Sequence, residues 1–256
     1  MIFHIVTLFP EMFESVLSSS ILKRARGQQL LHVDLINFRH FTNDKYRRVD
    51  TPPIGGGAGL VLKVQPIRDA LASIPNPGKK ILLTPRGTPF NQEIAKSFAK
   101  EQHLTLICGH YEGFDERTHH DVDMMVSLGD FILTGGELAA MTILDAVARL
   151  IPGVINEASP EEESFEHGIL EYPQYTEPYE IDGQKVPDIL YSGHHEAIRK
   201  WRLKQALHIT KTHRPDLFAS LTLSKESQSL LKELEEPSQP DWEQQAIQKG
   251  KKFRKP

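Results

Sequence analysis

The stretch SLGDFILTGGE, Ser127 to Glu137, decides how the rest of the chain is read. With Val126 before it, it carries the apolar content of a buried strand in Leu128, Phe131, Ile132 and Leu133. Gly129, Asp130 and the pair Gly135-Gly136 interrupt that content. Glycine weakens a strand interior and stands there where the backbone turns sharply or where something comes close. The stretch therefore predicts a strand that runs into a loop built for close approach.

Two further strands end the same way. Lys80 to Thr84 runs into TPRGTPF, and Leu104 to Cys108 runs into CGHYEGFDER. Ile2 to Leu8, Leu31 to Phe38 and Met124 to Leu128 also read as strands. Helices are predicted over Pro10 to Leu22, Val64 to Ile74, Gln92 to Lys100 with Asn91 as cap, and Leu138 to Leu150. Alternating strands and helices over residues 1–155 predict an α/β domain with a largely parallel sheet. In such sheets ligands bind at the carboxyl ends of the strands. One glycine-bearing loop there is ordinary turn chemistry; three between Thr84 and Gly136 argue for a site.

Composition narrows the class. The chain has 256 residues, 39% hydrophobic and 25% charged, with a formal net charge of −4. That balance is globular and gives no global positive field, although local basic patches can still meet phosphate. The single cysteine, Cys108, rules out a disulfide framework within the chain and fits a reducing cytosol. The N-terminus MIFHIVTLFP lacks the basic region of a signal peptide, and no apolar run approaches the ~20 residues of a membrane span. GGGAG, Gly55 to Gly59, is neither a dinucleotide fingerprint nor a Walker loop, because it follows no strand directly and no lysine-serine pair comes after it.

Beyond residue 155 the composition changes. Asn156 to Tyr191 is acidic and rich in proline and tyrosine, and reads as a linker. Residues 192–256 predict a small helical domain, with helices over Glu196 to Ala206, from Pro215, and over Leu221 to Leu234. SGHHEAIRKWR, Ser192 to Arg202, reads as a helix capped by Ser192 with a basic face suited to phosphate. Its adjacent histidines point in different directions and make no metal pair.

Taken together, GGGAGLVLK, CGHYEGFDER, SLGDFILTGGE, DAVARLIPGV, EEESFE, PQYT, VPDILYSGHHEAIRKWR and RPDL resemble the bacterial tRNA (guanine-N1-)-methyltransferases that act on guanosine 37, in the SPOUT superfamily. The resemblance runs from Met1 to about Leu217; the segment after about Leu221 looks like an individual extension. It implies an α/β parallel-sheet domain with a deep trefoil knot, which pattern reading alone would reject because threaded chains are rare. It implies S-adenosylmethionine folded within the knot, contacted by Thr84, Pro85, Gly109, Tyr111, Glu112, Leu128, Gly129, Asp130, Phe131, Ile132, Leu133, Gly135, Gly136 and Leu138.

The chemistry asks for a base, because guanine N1 carries a proton, and for a cation or donor to meet the charge that builds on O6. The family's acid and arginine positions fall on Glu163, where aspartate is usual, and Arg149. Without the resemblance, both read as solvated surface residues. Lys45, Arg47, Arg48, Arg199, Lys200 and Arg202 are the expected tRNA contacts. The resemblance further implies a homodimer in the cytoplasm. Magnesium is associated with the family's activity, and no ligand cluster is legible here. His110 for arginine and Glu177 for the arginine of YTRP are departures from the family pattern. Two other readings stay open: a tRNA-binding protein without catalysis, and a methyltransferase for another nucleotide.

Overall fold

A computed structural model of the chain describes residues 1–156, 163–234 and 239–251. The chain divides into two compact units, Met1–Glu157 and Ala158–Pro256.

In the first unit, five strands form one parallel sheet: β1 Ile2–Thr7, β2 His32–Asn37, β5 Lys79–Pro89, β6 His103–Ile107 and β7 Met124–Ser127. Their order is β2-β1-β6-β5-β7. A small antiparallel pair, β3 Asp50–Thr51 and β4 Val61–Leu62, flanks the Gly55 to Gly59 stretch. Both faces of the sheet are apolar, as a covered parallel sheet requires. Phe3, Ile5, Ile81, Leu83, Leu104, Leu106 and Val126 point to one face. There they meet α2 Ser20–Gly27, α4 Gln92–Phe98 and α5 Glu137–Ala148. Val6, Leu82 and Ile107 point to the other, against α3 Val64–Ala72. The alternation follows from the two-residue period of a strand.

Two local expectations need correction. The helix expected over Pro10 to Leu22 is broken into a 3-10 turn Pro10–Phe13, α1 Glu14–Leu17 and α2. The break falls at Ser18 to Ser20, where Ser20 takes φ 48° and serines bond the local backbone instead of continuing a helix. The strand expected to stop at Thr84 leaves the ladder after Leu83 and rejoins it at Thr88. Leu83 and Thr88 both pair with Val126, so Thr84 to Gly87 bulge outward. The polar stretch after Asp115 forms a 3-10 helix, Glu116–Asp121.

The second unit is built around α6, His195–His213, with α7 Pro215–Ser220, α8 Lys225–Glu233 and α9 Asp241–Lys251. The segment expected to be a linker falls mostly within this unit. It carries a short hairpin of β8 Glu180–Ile181 and β9 Gln184–Lys185, then a 3-10 turn Asp188–Tyr191. The cap of α6 is His194, whose Nδ1 accepts from the Ala197 amide, and not Ser192, whose hydroxyl accepts from the His194 amide. The extension is locked in by a buried cation. Lys204 Nζ lies 3.0 Å from Glu243 and 3.8 Å from Glu233, and 5.1 Å from the Trp242 ring centroid. Such a pair contributes mainly by specificity of docking, since desolvation offsets much of its attraction.

Candidate active site

The bulge in β5 and the loops after β6 and β7 converge on a cavity of about 390 Å³ in the first unit. The volume suits a nucleoside-sized ligand. The convergence is a matter of backbone contact. The Gly136 amide donates to the Gly109 carbonyl at 2.7 Å, and His110 bridges Gly135. A Cβ on Gly136 would stand 2.8 Å from both Cys108 Cα and the Gly109 nitrogen. A side chain there has no room, so two loops distant in sequence touch only because this residue is glycine.

Of the expected cofactor residues, Thr84, Pro85, Gly109, Tyr111, Glu112, Leu128, Gly129, Phe131, Ile132, Leu133, Gly135 and Gly136 line the cavity. Asp130 and Leu138 do not. Leu138 sits in the first turn of α5 and is exposed, and Ala139, one residue on, lines the cavity instead. Successive helix residues point about 100° apart, which accounts for the exchange. Thr84 and Pro85 reach the cavity through the bulge in β5.

Several residues of the site were not anticipated. Arg86 and Glu116 form a paired fork at 2.6 and 3.0 Å, and Arg86 lines the cavity. The Arg86 guanidinium holds the Glu116 carboxyl below its ordinary value. His110 and His119 also line the cavity, each with a buried ring nitrogen that meets no hydrogen-bond partner among the described residues. Buried polar atoms of that kind call for a partner, and a polar ligand supplies one. Behind the cavity, Glu137 is buried and accepts from Thr7. Burial, and then Glu137, pushes the Cys108 thiol well up, so it stays neutral and is no nucleophile. The signal for Glu137 was present in GGE but reads equally as an ordinary first-turn acid.

The glycine-rich Gly55 to Gly59 loop packs against the same region. A Cβ on Gly59 would collide with Glu112, and the Glu112 amide donates to the Leu60 carbonyl at 3.0 Å. Near it, the exposed ring of Tyr46 carries Lys45 Nζ at 5.8 Å and the Arg48 guanidinium at 5.2 Å. Arg48 also pairs with Asp44 at 3.4 Å.

Arg149 is the half-buried C-cap of α5 in the first unit. Glu163 is half-buried in the second, where its carbonyl accepts from the Glu166 amide. Glu161 and Glu162 lie outside the described residues. Within α6, Arg199 pairs with Glu196 at 2.8 Å and with Glu226 at 2.5 Å, on a half-exposed side chain. Arg202 lies 4.6 Å from the Tyr172 ring centroid. No group of three or more His, Cys, Asp or Glu among the described residues is placed to hold a metal ion, and no described helix is long and apolar enough to cross a membrane.

A parallel α/β unit with a glycine-bordered cavity at the carboxyl ends of three adjacent strands is the arrangement in which open α/β proteins place a ligand site. A family model described as tRNA (Guanine-1)-methyltransferase TrmD matches residues 1–220. The chain is 53% identical over 232 residues to a tRNA (guanine-N(1)-)-methyltransferase of Clostridium perfringens strain 13, covering 90% of this chain and 98% of that one. It is 54% identical over 231 residues to the protein of that name in Clostridium beijerinckii, covering 89% and 96%. For the Lactobacillus helveticus protein of that name the figures are 50% over 232 residues, 90% and 97%. The chain belongs to the tRNA (guanine-1)-methyltransferase family.

Proposed function

We propose that this enzyme transfers a methyl group from S-adenosylmethionine to N1 of guanosine 37 in tRNA. The observation that carries the reading is the cavity at Gly109, Leu128, Gly129, Phe131 to Leu133 and Gly136, in a chain of this family. Backbone amides and carbonyls brought close by glycine suit an adenine edge, and the buried nitrogens of His110 and His119 suit polar groups of the same ligand. When bound, that cofactor supplies a methyl group on a sulfonium. Threading of the three loops as a trefoil knot accords with the backbone contact between Gly136 and Cys108-Gly109.

Glu163 is assigned the N1 proton, and Arg149 the negative charge that grows on O6. The N1–H electron pair then becomes the nucleophile, and the proton resides on the carboxylate. Lys45, Arg47, Arg48, Arg199, Lys200 and Arg202 are assigned to tRNA. Residues 192–256 would grip the RNA. A homodimer is proposed from the family resemblance; the exposure of Ile132 (81%) and of Leu138 (47%), large apolar side chains at the cofactor loops, suits a cover from a second copy. A tRNA substrate places the enzyme in the cytoplasm. Mass spectrometry of tRNA incubated with the protein and labelled cofactor tests the reading. One-methylguanosine at position 37 supports it; tRNA that binds but gains no label refutes it.

A further inference from the structure

The second unit has a cavity of its own, about 340 Å³, that the methyl transfer does not use. Its walls come from three places. The segment Tyr172 to Glu177 supplies one, the 3-10 turn ending at Tyr191 another, and α6 the third through Ile198 and Arg202. Ile198 and Arg202 are four apart and so share one face of the helix.

The lining is unusually aromatic for an acidic segment. Tyr172, Tyr175 and Tyr191 all face it, and the Arg202 guanidinium lies 4.6 Å from the Tyr172 ring centroid. Tyr175 is 46% exposed, with its ring 6.5 Å from that of Trp201. Flat rings and a guanidinium plane are the surfaces on which single-stranded RNA stacks its bases. The rim is acidic: Glu177 lines the cavity and accepts from the Tyr191 hydroxyl at 3.4 Å. The lining holds one charge of each sign, Glu177 and Arg202, so it carries no net attraction for the RNA backbone. The Glu177 carboxylate is acceptor-only, so it suits a base edge that offers donors. Adenine, cytosine and guanine carry an exocyclic amino group; uracil does not.

We propose that this pocket seats an unpaired base of the tRNA that carries an exocyclic amine, stacked on the tyrosines with the amine toward Glu177. The inference rests on tRNA being the substrate, and it adds a second point of base recognition outside the cofactor domain.

Ultraviolet cross-linking of the full-length wild-type protein to tRNA, followed by mass spectrometry of the peptides, tests it directly. Adducts of adenine, cytosine or guanine on Tyr172, Tyr175 or Tyr191 are expected. Adducts absent from this segment, or only of uracil, overturn the proposal. A second arm uses Tyr175→Ala, whose exposed side chain is the least needed for folding. Its KM for tRNA should rise roughly tenfold, the scale of one lost stacking contact, while kcat and cofactor affinity hold. An unchanged KM also overturns it. Should the wild type make no one-methylguanosine, the methyl-transfer reading fails by itself, and the cross-link pattern still decides the pocket.

Discussion

Thr7 donates its hydroxyl hydrogen to Oε1 of Glu137 at 2.7 Å, joining residues 130 positions apart. Thr7 closes β1, Glu137 opens α5, and both are buried. The same hydroxyl accepts from the Phe9 amide at 3.0 Å. The bond ties the end of a central strand to the turn that carries Gly135 and Gly136. Thr7→Val keeps shape and removes the donor from a buried carboxylate. It should lower unfolding free energy by about 1–3 kcal/mol, read by urea denaturation. A variant as stable as wild type would show that Glu137 is satisfied without Thr7.

Two glycines of the site should respond differently. At Gly129, whose φ of 157° strains any side chain, an added Cβ also meets the Phe131 ring at 2.8 Å, a side chain that can move. At Gly136 it meets Cys108 Cα and the Gly109 nitrogen, which cannot. Gly129→Val should abolish S-adenosylmethionine binding in calorimetry while circular dichroism stays native. Gly136→Val should lose the native fold itself. Unchanged affinity in Gly129→Val would remove the cofactor from this loop.

The base assignment is tested in single turnover with saturating tRNA and cofactor. Glu163→Gln keeps size and removes the proton acceptor, and should slow methyl transfer by roughly 10²-fold or more with cofactor affinity unchanged. Arg149→Lys should also be slow, since lysine lacks the planar fork of donors. A full rate in Glu163→Gln, with loss in Glu161→Gln or Glu162→Gln, would move the base within the acidic run.

Lys45 and Arg48 stand over the exposed ring of Tyr46, with Arg47 next in sequence. Replacing all three by alanine should flatten the slope of log affinity for tRNA against log salt by up to about one unit per charge. A slope equal to wild type would make this loop a solvated surface.

His4 gives the fold a pH dependence. It is buried beside Asp34 at 3.0 Å and His103 at 3.3 Å, and burial is the main cause of its lowered pKa. The folded state therefore takes up its proton at lower pH than the unfolded state, whose histidine titrates near 6.5. Stability from this residue is full above that value and falls as pH drops toward the folded pKa. His4→Gln should reduce the loss of melting temperature between neutral and mildly acidic pH. An identical loss in the variant would assign the effect to other histidines.

The sequence by itself determined the parallel sheet, the positions of the three glycine loops and the family, because strand burial and glycine punctuation are local properties of the chain. Apolar content placed Val6, Ile81, Leu106 and Val126 in strands, and long motifs carried the resemblance. Tertiary structure decided what those residues meet. The detour of Thr84 to Gly87 out of β5 depends on pairing with Val126, which no local pattern of β5 encodes. Glu137 became a buried partner of Thr7, and Arg199 became occupied by Glu226, through contacts 130 and 27 residues apart. Ser192 gave way as cap of α6 to His194, two residues on, because the helix begins at His195 and the Ser192 hydroxyl meets the His194 amide instead. The tyrosine cavity of the second unit lies in a segment without periodicity, and its walls come from three separate stretches. Periodicity reports which face of an element is buried; only the packed chain sets which distant groups share a cavity, because that depends on how elements meet and not on their own repeat.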